Sequence, residues 1–250
     1  MTDPMSDQPG VPTALTRREV LRRVAVVGLG AAGGSLLGAG AALAATKTTK
    51  RTATTKRKAA ATAPKASTAN TTCVLTPEAT EGPYYLNIDQ VRTNITEGRP
   101  GTPLDLVLTV MDVAGCKPVK AAAVDIWQRD AAGVYSGVSG DRAMFLRGTQ
   151  VSDASGLARF ATIYPGSYPG RTVHIHVKVH VGGQDTYTGQ LYFDDAVSDV
   201  VFKSAPYNLT TRRGRNTDDG IYRQSGAAST LALTAKGTGF VGALTLGIRP

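Results

Sequence analysis

The chain is 250 residues long with a formal net charge of +9, and it holds three histidines, two cysteines and one tryptophan. The charge is unevenly spread: residues 1–45 contribute +1, residues 46–70 contribute +7, and residues 71–250 are near neutral, with 17 basic against 16 acidic residues. The foldable part thus lacks the basic excess of a nucleic-acid binder, and its roughly 180 residues suffice for one domain with its own core.

At the N-terminus, Thr16-Arg17-Arg18-Glu19-Val20-Leu21-Arg22 sets a twin-arginine pair ahead of an uncharged stretch from Val24 to Ala45. That stretch is long enough to cross a bilayer, but its Ala and Gly content makes it weakly hydrophobic. Ala42-Leu43-Ala44 supplies the small-x-small pattern of a cleavage site. Residues 1–45 read as a twin-arginine-type signal peptide, with a retained anchor as the alternative, and they predict export. Residues 46–70 are mainly Thr, Ala, Lys and Arg, with no aromatic or large aliphatic side chain. Such a tract cannot bury enough surface to order itself and reads as a disordered basic linker, with attraction to anionic envelope or wall polymers as one open role.

The domain expected over 71–250 begins near Cys73, whose only partner by composition is Cys116 in the turn Ala114-Gly115-Cys116-Lys117-Pro118. In an exported chain such a pair reads as a disulfide. Leu104, Leu106, Leu108 and Val110 share one parity, predicting a half-buried strand over 104–113. Further strands are expected at Val124–Gln128, Gly156–Ile163, 174–181 and Tyr187–Phe193, with turn signals between them. Only Asp194–Ser204 has helical character. The pattern predicts an all-β fold, a β-sandwich of short antiparallel strands with long loops and little helix.

Every histidine falls on the strand over 174–181. Its alternation puts Ile175, Val177, Val179 and Val181 on one face and His174, His176, Lys178 and His180 on the other. Residues two apart on a strand project in parallel, so two imidazoles can converge on one ion, although an H-x-H pair alone is a generic signal. Tyr164, Tyr168 and Arg171 precede the strand, and Tyr135 lies upstream after Trp127. A tyrosine has a pKa of about 10, so binding it as phenolate at neutral pH takes a strong Lewis acid. Two tyrosines with two histidines therefore suit Fe(III) better than Zn(II) or Cu(II). Tyr164 reads as a packing residue, Trp127 as a core anchor, and His180 and Lys178 as surface residues.

Four stretches carry a resemblance: TPEATEGPYY (Thr76–Tyr85), DIWQRDAAGVYSG (Asp125–Gly137), TIYPGSYPGRTVHIHVKV (Thr162–Val179) and GQLYF (Gly189–Phe193). Together, in this order, they resemble the intradiol ring-cleavage dioxygenases, in particular the compact, exported branch of that family. The resemblance implies a non-haem Fe(III) ion held by Tyr135, Tyr168, His174 and His176, with Tyr168 the ligand that gives way to substrate. It implies Arg171 as the residue stabilising the attacked ring carbon, Gln190 near the active site, and Tyr84 and Tyr85 near the pocket mouth. The implied reaction joins a catechol and O2 into a cis,cis-muconate-type product. Only two residues separate Tyr168 from Arg171, and Ser167 and Gln128 also depart from the family's habits, which leaves the pocket shape, the preferred catechol and the oligomeric state open. The alternative is a non-catalytic, envelope-associated β-sandwich that binds ligands and retains the fold.

Overall fold

The computed structural model describes residues 73–88, 90–138, 142–209 and 213–250. The signal-peptide and linker readings for 1–45 and 46–70 lie outside the described residues. The described residues form nine strands: β1 (Pro103–Asp112), β2 (Lys117–Pro118), β3 (Ala123–Trp127), β4 (Arg147–Val151), β5 (Leu157–Ile163), β6 (His174–Val181), β7 (Gln184–Tyr192), β8 (Ala232–Lys236) and β9 (Gly239–Ile248). Two short helices, α1 (Asp195–Val201) and α2 (Gly220–Ser225), follow β7.

One sheet runs β2-β1-β9-β8 with β5 also paired to β1, and the other runs β4-β3-β6-β7. The alternation of β1 is realised as expected: Leu104, Leu106, Leu108 and Val110 are all buried. They meet Val124 and Ile126 of β3, Ile175, Val177 and Val179 of β6, and Leu246 and Ile248 of β9 in one continuous core. Two sheets sharing one apolar core make the predicted sandwich. The antiparallel expectation fails at one pair, because β1 and β9 run parallel, with Leu104 opposite Phe240 and Asp112 opposite Ile248.

Strand β6 occupies residues 174–181 as its alternation predicts, but it is buried on both faces. Its apolar side chains enter the core. Its histidine face lies under the segment that leads into the domain. Thr76 is tied to Gly247 of β9 through Thr76 N→Gly247 O (2.9 Å) and Gly247 N→Thr76 Oγ1 (2.8 Å). Ala79 N then donates to Thr188 O on β7 at 3.1 Å, and Glu81 pairs with Lys178 on β6.

This cover corrects two expectations. His180 is buried, with Nε2 3.0 Å from Asp125 Oδ2 and Nδ1 2.6 Å from Asp185 Oδ1. Lys178 is also buried, paired with Glu81 and Asp185. Neither is a surface residue, because the chain upstream of β1 folds back over what the strand pattern alone presents as a solvent face.

Cys73 and Cys116 are joined, with Cα atoms 5.6 Å apart. The bond anchors the start of the covering segment to the turn between β1 and β2. Closing a 43-residue separation contributes about 4 kcal/mol in the chain-entropy account. Cys73→Ser with Cys116→Ser is expected to lower the unfolding free energy by about that amount, read as a lower urea midpoint with a steeper slope, because the uncrosslinked unfolded chain exposes more surface.

Candidate active site

The two central side chains come from β6. His174 Nδ1 lies 2.7 Å from the Thr172 carbonyl oxygen, which can only accept. Nδ1 therefore carries the proton, and Nε2 presents a bare lone pair. That Nε2 is 3.2 Å from His176 Nε2. Two imidazole nitrogens bound to one ion at about 2.1 Å and roughly at right angles stand about 3 Å apart, so the pair fits chelation. Burial lowers the pKa of His174 to about 4, with Arg171 nearby adding to the effect. Burial, then the His174 charge, holds His176 well below the ordinary range. Both rings are neutral at physiological pH, the form a metal needs.

Tyr168 packs beside His174 (ring centroids 5.8 Å), and Tyr135 beside His176 (6.2 Å). Burial raises the Tyr135 hydroxyl far above its usual pKa and neighbouring Tyr168 adds to this, while Arg129, Arg147 and Arg171 act in the opposite direction. Tyr135 is thus a phenol until a strong Lewis acid displaces its proton, and two neutral imidazoles with two phenols form a donor set suited to a hard trivalent ion. The four residues that the resemblance names as ligands lie in one cluster, contributed by β6, the turn before it and the loop after β3.

The walls are aromatic. Trp127 stacks on His176, with centroids 4.9 Å apart and planes within 9°. Tyr84 packs on Tyr135 at 4.7 Å. Tyr85 turns the other way, against Trp127, and its hydroxyl donates to Asp125 Oδ2 at 2.9 Å. Gln190 is opposite His176 in the β6–β7 ladder. Its Oε1 accepts from Arg171 and from Tyr192 Oη (3.0 Å), and its Nε2 donates to Thr80 O at 2.9 Å. Arg171 also gives Nη1 to Tyr168 Oη at 3.4 Å.

Tyr164 is a packing residue as expected, buried against Phe193 with its hydroxyl 2.7 Å from Ser198 Oγ. Gln128 is buried away from the histidines. It donates to Ile163 O and accepts from Thr162 Oγ1, joining β3 to β5.

A protein-family profile described as Dioxygenase matches residues 80–224. An intradiol ring-cleavage dioxygenase from Tetranychus urticae is 40% identical, with a TM-score of 0.69 over 71% of this chain and 96% of that one. The dioxygenase domain of a dioxygenase–carbohydrate-binding protein fusion from Streptomyces sp. SirexAA-E is 32% identical, with a TM-score of 0.55 over 69% and 96% of the two chains. The chain belongs to the intradiol ring-cleavage dioxygenases. A chlorocatechol 1,2-dioxygenase from Cupriavidus pinatubonensis is 30% identical over 53% of this chain, which spans 61% of that relative's length.

Asp219 also belongs to this site, although its sequence surroundings, Arg212, Arg213, Arg215 and Asp218, read only as a polar loop. It is buried, and its Oδ2 accepts from both Arg171 Nε (2.8 Å) and Thr172 N (2.9 Å). Its Oδ1 caps α2 by accepting from Ile221 N (2.8 Å) and Tyr222 N (3.2 Å). Burial opposes its charge, but the Thr172 amide and Arg171 outweigh burial and hold the carboxyl below the ordinary range. The legible signal was the helix-start pattern of an Asp before Gly220. Its reach across to Arg171 comes from tertiary structure. Asp219→Ala leaves the half-buried Arg171 guanidinium without its carboxylate and the Thr172 amide without its acceptor, and is expected to cost about 3 kcal/mol in urea unfolding.

Proposed function

We propose that the protein is an exported non-haem Fe(III) dioxygenase that opens catechol-type rings with O2 to cis,cis-muconate-type products. The observation that carries this is the pair of imidazole Nε2 atoms 3.2 Å apart, flanked by Tyr135 and Tyr168. Tyr135, Tyr168, His174 and His176 would hold the ion. Bound there, Fe(III) supplies the Lewis acidity that ionises the tyrosines and a chelated catechol and makes the ring reactive toward O2.

The chain's own groups do the rest. The carbonyl of Thr172 fixes the His174 tautomer, and stacking on Trp127 fixes the plane of His176. Tyr168 is the more exposed of the two tyrosines, and its Oη is the atom placed to take a proton from an incoming catechol hydroxyl. Arg171 is held from two sides, by Asp219 and by Gln190, so a permanently charged planar cation is ready where negative charge develops on the ring. Trp127 and Tyr84 form apolar walls that keep water from the reacting ring. The twin-arginine-type segment supports export, and the basic linker supports retention near anionic envelope polymers.

Reconstitution with Fe(III) is expected to colour the protein red-brown through tyrosinate charge transfer, with Tyr135→Phe or Tyr168→Phe shifting or bleaching the band. A protein that stays colourless and takes up no iron overturns this reading. Arg171→Met is expected to keep the colour and to lower kcat for a catechol by about a hundredfold or more, read by O2 uptake and by the ring-opened product.

A further inference from the structure

Thr172 stands between Arg171 and the strand that carries both imidazoles, and each of its three polar groups has a partner. Its amide N donates to Asp219 Oδ2 at 2.9 Å, its hydroxyl lies 2.6 Å from Asn216 Oδ1, and its carbonyl oxygen faces His174 Nδ1 at 2.7 Å. The direction of the hydroxyl bond follows from the far side of Asn216. There Nδ2 donates to Phe193 O at 2.9 Å, a carbonyl that can only accept, so the amide oxygen is the end turned to Thr172. The Thr172 hydroxyl is therefore the donor. Both donors of Thr172 end on one segment, 44 to 47 positions further along the chain.

That segment is itself held in place. Asn216 N donates to Asp195 Oδ2 at 3.2 Å, and Arg213 Nη2 donates to Asp195 O at 2.8 Å, so it rests on the start of α1. At its other end Asp219 caps α2. Between them Gly214 lies against the backbone of Arg171, where a Cβ would come within 2.5 Å of Arg171 O. Thr172 and Asn216 are both buried, so a partner lost from either leaves a polar group unsatisfied.

A neutral imidazole carries its proton on either nitrogen, and the group facing one nitrogen decides which is left bare. For His174 that group is a carbonyl whose own orientation is set by the distant segment. We propose that Asn216 is a positioning residue: by accepting from the Thr172 hydroxyl it keeps the Thr172 carbonyl on His174 Nδ1, and so keeps the His174 Nε2 lone pair turned toward His176. Without Asn216, Thr172 is tied to the segment by its amide alone, and its carbonyl is free to swing away from the ring. The use of that lone pair in ring cleavage rests on the function proposed above, whereas the tautomer is tested without it.

The test uses the full-length, metal-free protein, isotope-labelled, and long-range proton–nitrogen correlation spectra of its imidazoles at neutral pH. With three histidines in the chain the spectrum is readable, and His174→Gln assigns the ring of interest. The wild-type protein is expected to show His174 protonated on Nδ1. Asn216→Ala and Thr172→Val are each expected to shift the ratio toward the Nε2–H form by about fivefold or more, while Thr172→Ser, which keeps a hydroxyl, holds the wild-type ratio. Fe(III) affinity, read by competition with a chelator, is expected to fall about threefold to tenfold in Asn216→Ala and Thr172→Val and to be kept in Thr172→Ser. Where Asn216→Ala fails to fold by near-ultraviolet circular dichroism, Thr172→Val against Thr172→Ser decides the matter. A wild-type His174 protonated on Nε2, a ratio that Thr172→Val or a folded Asn216→Ala leaves unchanged, or a shifted ratio with undiminished Fe(III) affinity overturns the proposal. Failure of the ring-cleavage reading is seen elsewhere, as absent iron uptake or O2 consumption with every catechol, and leaves the metal-free tautomer result intact.

Discussion

Burying both faces of β6 commits the rest of the molecule. Ile175, Val177 and Val179 fill the core, and the opposite face carries three imidazoles and an ammonium group that must also be enclosed. A buried polar group without a partner is expensive, so the surroundings supply one almost everywhere. His174 has the Thr172 carbonyl, Lys178 has Glu81 and Asp185, and His180 lies between Asp125 and Asp185. His176 stands apart. Its Nδ1 has no hydrogen-bond partner among the described residues, and its ring is held instead by the flat stack on Trp127 and by Gly82, where a Cβ would come within 3.2 Å of the imidazole. The least satisfied histidine is thus one of the two whose Nε2 atoms face each other.

The same strand separates two polar environments. Toward its start are the tyrosines, Arg171 and Gln190, around paired nitrogen lone pairs. Toward its end, Asp125, His180, Asp185, Lys178 and Glu81 form a network in which Lys178 meets Glu81 and Asp185, and His180 lies between Asp125 and Asp185. Tyr85 and Trp127 stand between the two, Tyr85 bonded to Asp125 and stacked on Trp127, and Trp127 stacked in turn on His176. The compensated end is suited to holding the covering segment in place. The other end keeps the Nε2 lone pairs of His174 and His176 facing each other.

What could be read from the residues beforehand was whatever period two or a fixed spacing expresses. β1 and β6 have unbroken alternation and were legible, and so was the Cys73–Cys116 pair. β4 and β9 were not. Arg147-Gly148-Thr149-Gln150-Val151 mixes a buried arginine with a glycine, and Gly239–Ile248 holds glycines at 242 and 247 that let neighbouring segments approach closely. The tyrosine and histidine cluster was legible because its members lie in or beside motifs. Asp219 was not, since it acts through contacts that join separate segments. His180 was misread for a related reason: alternation tells which side chains share a face, and says nothing of what later covers that face.

The parallel pairing of β1 with β9 bears on how the domain is completed. β1 is flanked by β5 on one edge and β9 on the other, so β9 is an interior strand of its sheet. During synthesis β1 emerges early, yet the row of backbone donors and acceptors that faces β9 stays open until residues 239–248 have left the ribosome. Until then Leu104 to Val110 lie on an unfinished, apolar sheet edge of the kind that recruits other chains. The nascent domain is most exposed to misassociation just before its final strand closes that edge.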